Sequence, residues 1–158
     1  FDYPQGDDFV IINDWNTKGD HVGQASCYSW VVGTLGYIKD YFEDNAEAMM
    51  TRFGTASQAY LSYKIIERNG KLKFWPEQWC KSFKYHILPP PLIRIWKKAP
   101  KPEGIKVLAF HGNPKMDEAR AGVWSFEKKV PFYKKPLKIL RPVEWIDDYW
   151  NNQGNQTL

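Results

Sequence analysis

Cysteine and long apolar runs are both scarce in this sequence of 158 residues. Two cysteines, Cys27 and Cys80, are too few for a disulfide framework or for a closed zinc site. We interpret them as buried small apolar residues of a reducing compartment and expect a cytoplasmic protein. No apolar run approaches the roughly 18 residues that a membrane-spanning helix needs. Internal repeats and low-complexity segments are absent too. Secreted disulfide scaffolds, membrane spans and repeat arrays are therefore excluded.

The chain also begins without an initiator methionine, at Phe1-Asp2-Tyr3-Pro4. The basic and apolar segments of a signal peptide are missing from this start. We therefore expect a trimmed chain or a fragment of a longer protein. With 43% hydrophobic and 25% charged residues, the sequence resembles an ordinary folded chain. We expect a single domain over residues 1–158.

Aromatic residues and positive charge are plentiful. There are eight Trp, nine Tyr and nine Phe, and some of these rings must lie at the surface, where they can stack on sugars, bases or proteins. Residues 1–60 carry nine acidic and three basic side chains, whereas residues 61–158 carry nine acidic and nineteen basic ones. The basic second half indicates a phosphate, nucleotide or nucleic-acid partner. It is equally typical of a lysine-rich solvated surface.

The hydrophobic pattern predicts a mixture of helices and strands. Short apolar runs predict strands over 8–13, 71–75, 81–88 and 105–110, and polar residues predict a loop over 14–24. Helical spacing predicts helices over 35–52, from Thr55 to Asn69-Gly70, and near Val143–Asn152. Because strands and helices do not alternate regularly, we expect an α/β or mixed α+β fold with a small mixed sheet.

The stretch after the predicted strand 105–110 contains the strongest candidates for chemistry. Ligands of open α/β sheets bind beyond the carboxyl ends of strands. There Gly112 would let a ligand approach the backbone, His111 could ligate a divalent metal, and Lys115 could contact a phosphate. From spacing alone, a histidine at a strand end followed by a simple turn is the favoured interpretation, because only three residues indicate a site.

Two longer motifs carry a family resemblance. The run Phe74-Trp75-Pro76-Glu77-Gln78-Trp79-Cys80-Lys81-Ser82-Phe83-Lys84-Tyr85-His86, followed by Ala109-Phe110-His111-Gly112-Asn113-Pro114-Lys115, resembles bacterial glycosyltransferases of the GT-A nucleotide-sugar fold. These are distant relatives of glycogenin and the lipopolysaccharide galactosyltransferases. Shorter matches are Phe1-Asp2-Tyr3, Gly54-Thr55 with Gln58–Ser62, and Glu144-Trp145-Ile146. The resemblance covers most of the chain and implies the acceptor-side, C-terminal half of such a fold.

The resemblance also implies roles for four residues. His111 corresponds to a metal ligand near the nucleotide diphosphate, and Lys115 with Gly112 to the diphosphate contact. In glycogenin-like proteins the histidine lies three residues before the glycine, whereas here it directly precedes it. Gln58 stands in the family's Asp-Gln-Asp, which places donor sugar and acceptor and which is catalytic by resemblance.

Departures from the family pattern limit the expected activity. Both carboxylates of Asp-Gln-Asp are replaced, by Ser57 and Ala59, and the Asp-x-Asp half of the family is not found in this sequence. We therefore expect Mn²⁺ or Mg²⁺ to bind weakly or not at all to this chain alone, because these ions prefer carboxylates. The related reaction moves a sugar from a nucleotide-diphosphosugar to a saccharide or lipid-linked acceptor. This chain alone is expected to catalyse little or none of it.

Two further hypotheses stay open. The chain could be a non-catalytic remnant of such an enzyme that binds partners, either as a homo-oligomer or together with a missing N-terminal half. Its basic, aromatic second half could instead bind nucleic acid, although no RRM, KH or zinc-finger signature is present.

Overall fold

The computed structural model describes residues 7–17, 19, 21–125, 131 and 138–151. The chain divides into two compact units, Phe1–Cys80 and Lys81–Leu158. Helices accompany two small sheets, so the predicted mixed α/β class is confirmed. The Phe1-Asp2-Tyr3 match, most of the basic aromatic region after Ser125 and the tail from residue 152 lie outside the described residues.

The first unit is organised around an antiparallel strand pair. Strand β1 (Phe9–Asn13) is the predicted buried run, and its first four residues are at most 3% exposed. It pairs with β2 (Gly23–Trp30). The prediction of a loop over 14–24 is wrong at its end, and β2 itself was not predicted. Its Gly-Gln-Ala-Ser-Cys-Tyr-Ser-Trp sequence has no β-branched residue, so pairing with β1 decides its conformation.

The backbone of β2 at Gly23 lies very close to a side chain of β1. A Cβ atom on Gly23 would lie 2.5 Å from the Ile11 side chain, a distance that real side chains do not reach. Glycine is therefore required where β2 begins.

Three helices complete the first unit: α1 (Gly36–Asp44), α2 (Ala46–Phe53) and α3 (Ser57–Asn69). The single helix predicted over 35–52 is wrong, because Asn45 interrupts it at φ −131° and ψ 28°. The Asn45 side chain instead donates a hydrogen bond to the Tyr41 carbonyl at 3.0 Å. α3 ends at Gly70 (φ +75°), as predicted. The buried core of the unit comprises Phe9, Ile11, Ile65 and Leu72.

The second unit begins within β3 (Cys80–Ser82), a short strand that forms one sheet with β4 (Val107–Ala109). Helices α4 (Met116–Ala121) and α5 (Trp145–Asn151) follow. The strand predicted over 81–88 is wrong beyond Ser82. There the chain makes a π-helical turn over Phe83–Ile87, closed by the Leu88 amide donating to the Phe83 carbonyl at 2.8 Å.

The core of the second unit forms around the fully buried Phe83, whose ring stacks on Phe110 at 4.7 Å. Its other buried members are Ala99, Ala119, Leu140, Val143 and Ile146. This packing fixes the residue immediately before His111. Within the described ranges, every helix falls short of the length and apolar character needed to cross a bilayer.

Candidate functional site

The loop His111–Lys115 leaves the carboxyl end of β4 and leads into α4. Gly112 has φ +66°, and a Cβ placed on it would meet no heavy atom of the described residues within 4 Å. Lys115 is exposed and immediately precedes α4. The structure therefore brings three of the predicted site residues together on one loop, with open space beside the glycine.

Ser82 connects this loop to β3. The His111 Nε2 atom lies 2.8 Å from the Ser82 hydroxyl oxygen, and Ser82 is fully buried. The same oxygen accepts a hydrogen bond from the Tyr85 amide at 3.3 Å, and the Ser82 amide donates to His86 Nδ1 at 2.9 Å. The Tyr85 ring lies 5.5 Å from the imidazole. The end of β3 thus holds the histidine that follows β4.

The direction of the Ser82–His111 hydrogen bond follows from burial. A buried hydroxyl donates its hydrogen where an acceptor is within reach, and the Tyr85 amide can only donate. We therefore assign the hydroxyl as donor and His111 Nε2 as acceptor. This hydrogen bond occupies the Nε2 lone pair of His111.

The surrounding residues do not fit a divalent metal either. Across the described part of the chain, no group of three or more His, Cys, Asp or Glu side chains could hold a metal ion. The nearby carboxylate of Glu118 accepts a hydrogen bond from the Lys115 amide at 2.7 Å. We therefore derive no step through a metal at His111, and the metal role implied by the resemblance stays a prediction.

The far end of the loop is held by Glu118 and Ser125. A hydrogen bond from the Ser125 side chain, followed by the one from the Lys115 amide, lowers the pKa of Glu118 and keeps it ionised. The side-chain Nδ2 of Asn113 donates to the Ser125 carbonyl at 3.1 Å. Both ends of the loop are therefore fixed before any ligand binds, which reduces the entropy cost of binding.

Gln58 lies in the first unit, on α3, whereas the other three predicted site residues lie in the second. Its Oε1 accepts a long hydrogen bond from the Ala25 amide at 3.5 Å. One turn on, the Ser62 hydroxyl accepts from the Gly23 amide at 2.9 Å and donates to the Gln58 carbonyl at 2.7 Å. Gln58 and Ser62 of α3 therefore accept hydrogen bonds from backbone amides of β2. For Gln58, the contact observed is the one with Ala25.

The sequence interpretation missed two serines of this arrangement. Ser82 was part of a quoted motif, Pro76-Glu77-Gln78-Trp79-Cys80-Lys81-Ser82, but no chemistry was given to it. Ser62 ended the shorter match Gln58–Ser62, but no contact was predicted for it, because a serine inside a helix normally faces solvent or bonds its own helix. Both are fully buried, and their partners lie 29 and 39 residues away in sequence.

Comparison with known proteins adds no relative. No family model matches the chain, and neither a curated protein nor a solved structure is similar to it.

Proposed function

We propose that this chain is a glycosyltransferase-like domain, the acceptor-side part of an enzyme that transfers a sugar from a nucleotide-diphosphosugar to a saccharide or lipid-linked acceptor. The partners proposed are therefore a nucleotide-diphosphosugar and a saccharide. Cytoplasmic location belongs to the same proposal and is supported by two cysteines that form no disulfide.

The observation that carries this proposal is the loop His111–Lys115. It follows a strand end, contains an open glycine in the left-handed region and presents an exposed lysine. Backbone that a phosphate can approach closely, next to a cation, is what a diphosphate contact requires.

Lys115 supplies the chemistry in this proposal. A positioned ammonium group stabilises negative charge as it develops on a leaving diphosphate, which is an electrostatic contribution to catalysis. At the start of α3, Ser57 and Ala59 provide no carboxylate that could act on the acceptor. We therefore expect binding of nucleoside diphosphate with little or no sugar transfer by this chain alone.

Calorimetric titration with UDP, GDP, ADP and CDP tests the proposal. We expect at least one to bind, and Lys115→Ala to weaken that binding roughly tenfold, because a charge-assisted hydrogen bond contributes about 1.5 kcal/mol. Lys97→Ala is the matched control, since Lys97 is another exposed lysine of the second unit.

Equal affinity in the wild type and Lys115→Ala, or no binding at millimolar nucleotide, would contradict the proposed contact. Incubation of the chain with nucleotide-sugars, Mn²⁺ and saccharide acceptors is the companion measurement. Clear turnover there would overturn the expectation that this chain alone is inactive.

A second candidate is a non-catalytic remnant that assembles with itself. It is supported by exposed apolar side chains at the end of β2 and directly after it. Their exposed fractions are 40% for Tyr28, 48% for Trp30, 49% for Val31 and 88% for Val32. Contiguous apolar surface of this kind is typical of protein contacts.

A further inference from the structure

A second site becomes visible in the first unit, where two chain segments run parallel. The Ile11 amide donates to the Lys73 carbonyl at 3.1 Å, and the Trp75 amide donates to the Ile11 carbonyl at 3.0 Å. Ile11 and Phe74 form a parallel bridge. The residues that follow β1 and those that follow Phe74 therefore emerge at the same edge, the place where α/β sheets bind ligands.

The cavity at this edge measures about 310 Å³. That is the lower end of the range for small-molecule sites. Its polar and aromatic lining comes from both segments. Asn13 ends β1 and is followed by Asp14 and Trp15, while Trp75 and Glu77 come after the bridge. The cavity therefore combines two indole rings with two carboxylates and an amide.

The lining is rigid on the side of Asp14. Asp14 is 6% exposed. One carboxylate oxygen accepts a hydrogen bond from the Thr17 hydroxyl at 2.7 Å, and the other accepts one from the side-chain Nδ2 of Asn16 at 3.3 Å. Each carboxylate oxygen can accept more than one hydrogen bond, so these contacts orient Asp14 and leave it able to accept from a ligand hydroxyl.

The aromatic side is ordered as well. The Trp75 ring stacks on Trp79 at 6.5 Å with an interplanar angle of 27°, and Trp75 is 9% exposed. Trp15, from the other segment, is half-buried. Indole rings offer flat apolar faces to C–H groups, while carboxylates and amides accept hydrogen bonds from hydroxyls.

We propose that this cavity is a saccharide-binding site. An uncharged sugar ring can stack its apolar C–H face on Trp15 or Trp75. Its hydroxyl groups can donate hydrogen bonds to Asp14 and Glu77. A phosphate or carboxylate ligand would be repelled by the same two acids. The binding of a saccharide stands on these residues alone, and its assignment as the acceptor's place rests on the proposed function.

The test is a titration of the full chain with glucose, galactose, N-acetylglucosamine, lactose and cellobiose, without nucleotide or metal. Saturation-transfer NMR detects binding, and tryptophan fluorescence gives the affinity. We expect at least one saccharide to bind, with Trp15→Ala and Glu77→Gln each weakening it fivefold or more. Trp96→Ala and Glu103→Gln are matched controls, because both residues are exposed and lie in the second unit.

Failure of all five sugars to bind would overturn the proposal, as would binding unchanged in Trp15→Ala and Glu77→Gln. Choline is included because an ammonium ligand also suits indoles and carboxylates. Binding of choline in place of any sugar would overturn it too. Lys115→Ala should bind saccharide like the wild type. Saccharide binding without any nucleoside diphosphate binding would refute the proposed nucleotide contact and leave this site standing.

Discussion

At the residue scale, the contact between Ser82 and His111 is the feature that most constrains the chemistry of the loop. A buried hydroxyl 2.8 Å from Nε2 fixes the position of the imidazole. The imidazole of His111 is therefore fixed in position within the loop. Gly112, which has open space beside it, and the exposed Lys115 follow it. Spacing in the sequence brought 111, 112 and 115 together but could not show Ser82, which is 29 residues away.

Ser82→Ala tests that contact. Both His111 Nε2 and the Tyr85 amide lose their partner, so we expect a loss of about 1 to 3 kcal/mol in the free energy of unfolding. Urea denaturation measures this loss. The ring ¹⁵N shifts of His111 should also change from the pattern of a single tautomer to that of an exchanging mixture.

Ser26→Ala is the control, since Ser26 is exposed on β2. A wild-type tautomer pattern in Ser82→Ala would show that the serine does not position the ring. The tautomer is the decisive readout, because a purely structural loss of stability would leave it unchanged.

Glu118 makes the stability of this region depend on pH. Its folded-state pKa is lowered by the hydrogen bonds from the Ser125 side chain and the Lys115 amide. The resulting stabilisation is fully present above the pKa of an unfolded glutamate, about 4.3. It is lost as the pH falls through the lowered folded-state pKa.

We therefore expect a fall in pH from above about 4.3 to below the folded-state pKa to destabilise the wild type more than Glu118→Gln. The measurement is the free energy of unfolding of both proteins as a function of pH. Parallel curves for the two proteins would contradict the role given to Glu118.

At the scale of elements, β2 shows how pairing overrides local preference. Gly23 lies against Ile11, and the Gly23 amide donates to Ser62 of α3. Neither contact can be predicted from the residues next to Gly23 in sequence. This is why the polar residues over 14–24 predicted a continuous loop. Helix α3, by contrast, was predicted close to its true bounds, because its periodicity and the glycine at position 70 are local signals.

Gly23→Ala tests the close approach of the two strands. The added methyl group would overlap the Ile11 side chain, so we expect a loss of about 1 to 3 kcal/mol in the free energy of unfolding. Gly36→Ala is the matched control. A Cβ there meets no described atom within 4 Å, and alanine favours a helix.

Gly36→Ala should therefore leave the stability unchanged or raise it. Equal stabilities of Gly23→Ala and the wild type would show that β1 can move away from β2 at no cost.

At the scale of the whole molecule, charge is unevenly distributed along the sequence, whereas exposed apolar side chains occur in both units. The net charge of +4 combines +10 from residues 61–158, which carry nineteen basic and nine acidic side chains, with −6 from residues 1–60. The exposed Trp30, Val31 and Val32 belong to the first unit, and Leu92 and Trp96, which are 71% and 74% exposed, belong to the second. A single domain over 1–158 stays a prediction from length and composition, and the GT-A fold stays a prediction from the resemblance of two motifs.

Self-association is the prediction that belongs to this scale. If the exposed residues after β2 meet a second copy, light scattering should show a mass above the monomer that rises with protein concentration. Val32→Ser should lower that mass, because Val32 is 88% exposed and makes the patch apolar. A concentration-independent monomer would exclude the oligomeric remnant as a candidate function.

Local sequence signals were enough to predict the mixed α/β fold class and the elements that depend on neighbouring residues. The buried run Phe9–Ile12, the end of α3 at Gly70 and the grouping of His111, Gly112 and Lys115 all depend on neighbours within a few positions. The tertiary structure alone decided that β2 is a strand, that Ser82 holds His111, and that Trp15 and Glu77 line one cavity. These features depend on contacts between residues far apart in the chain, and such contacts form only when the backbone segments pack together.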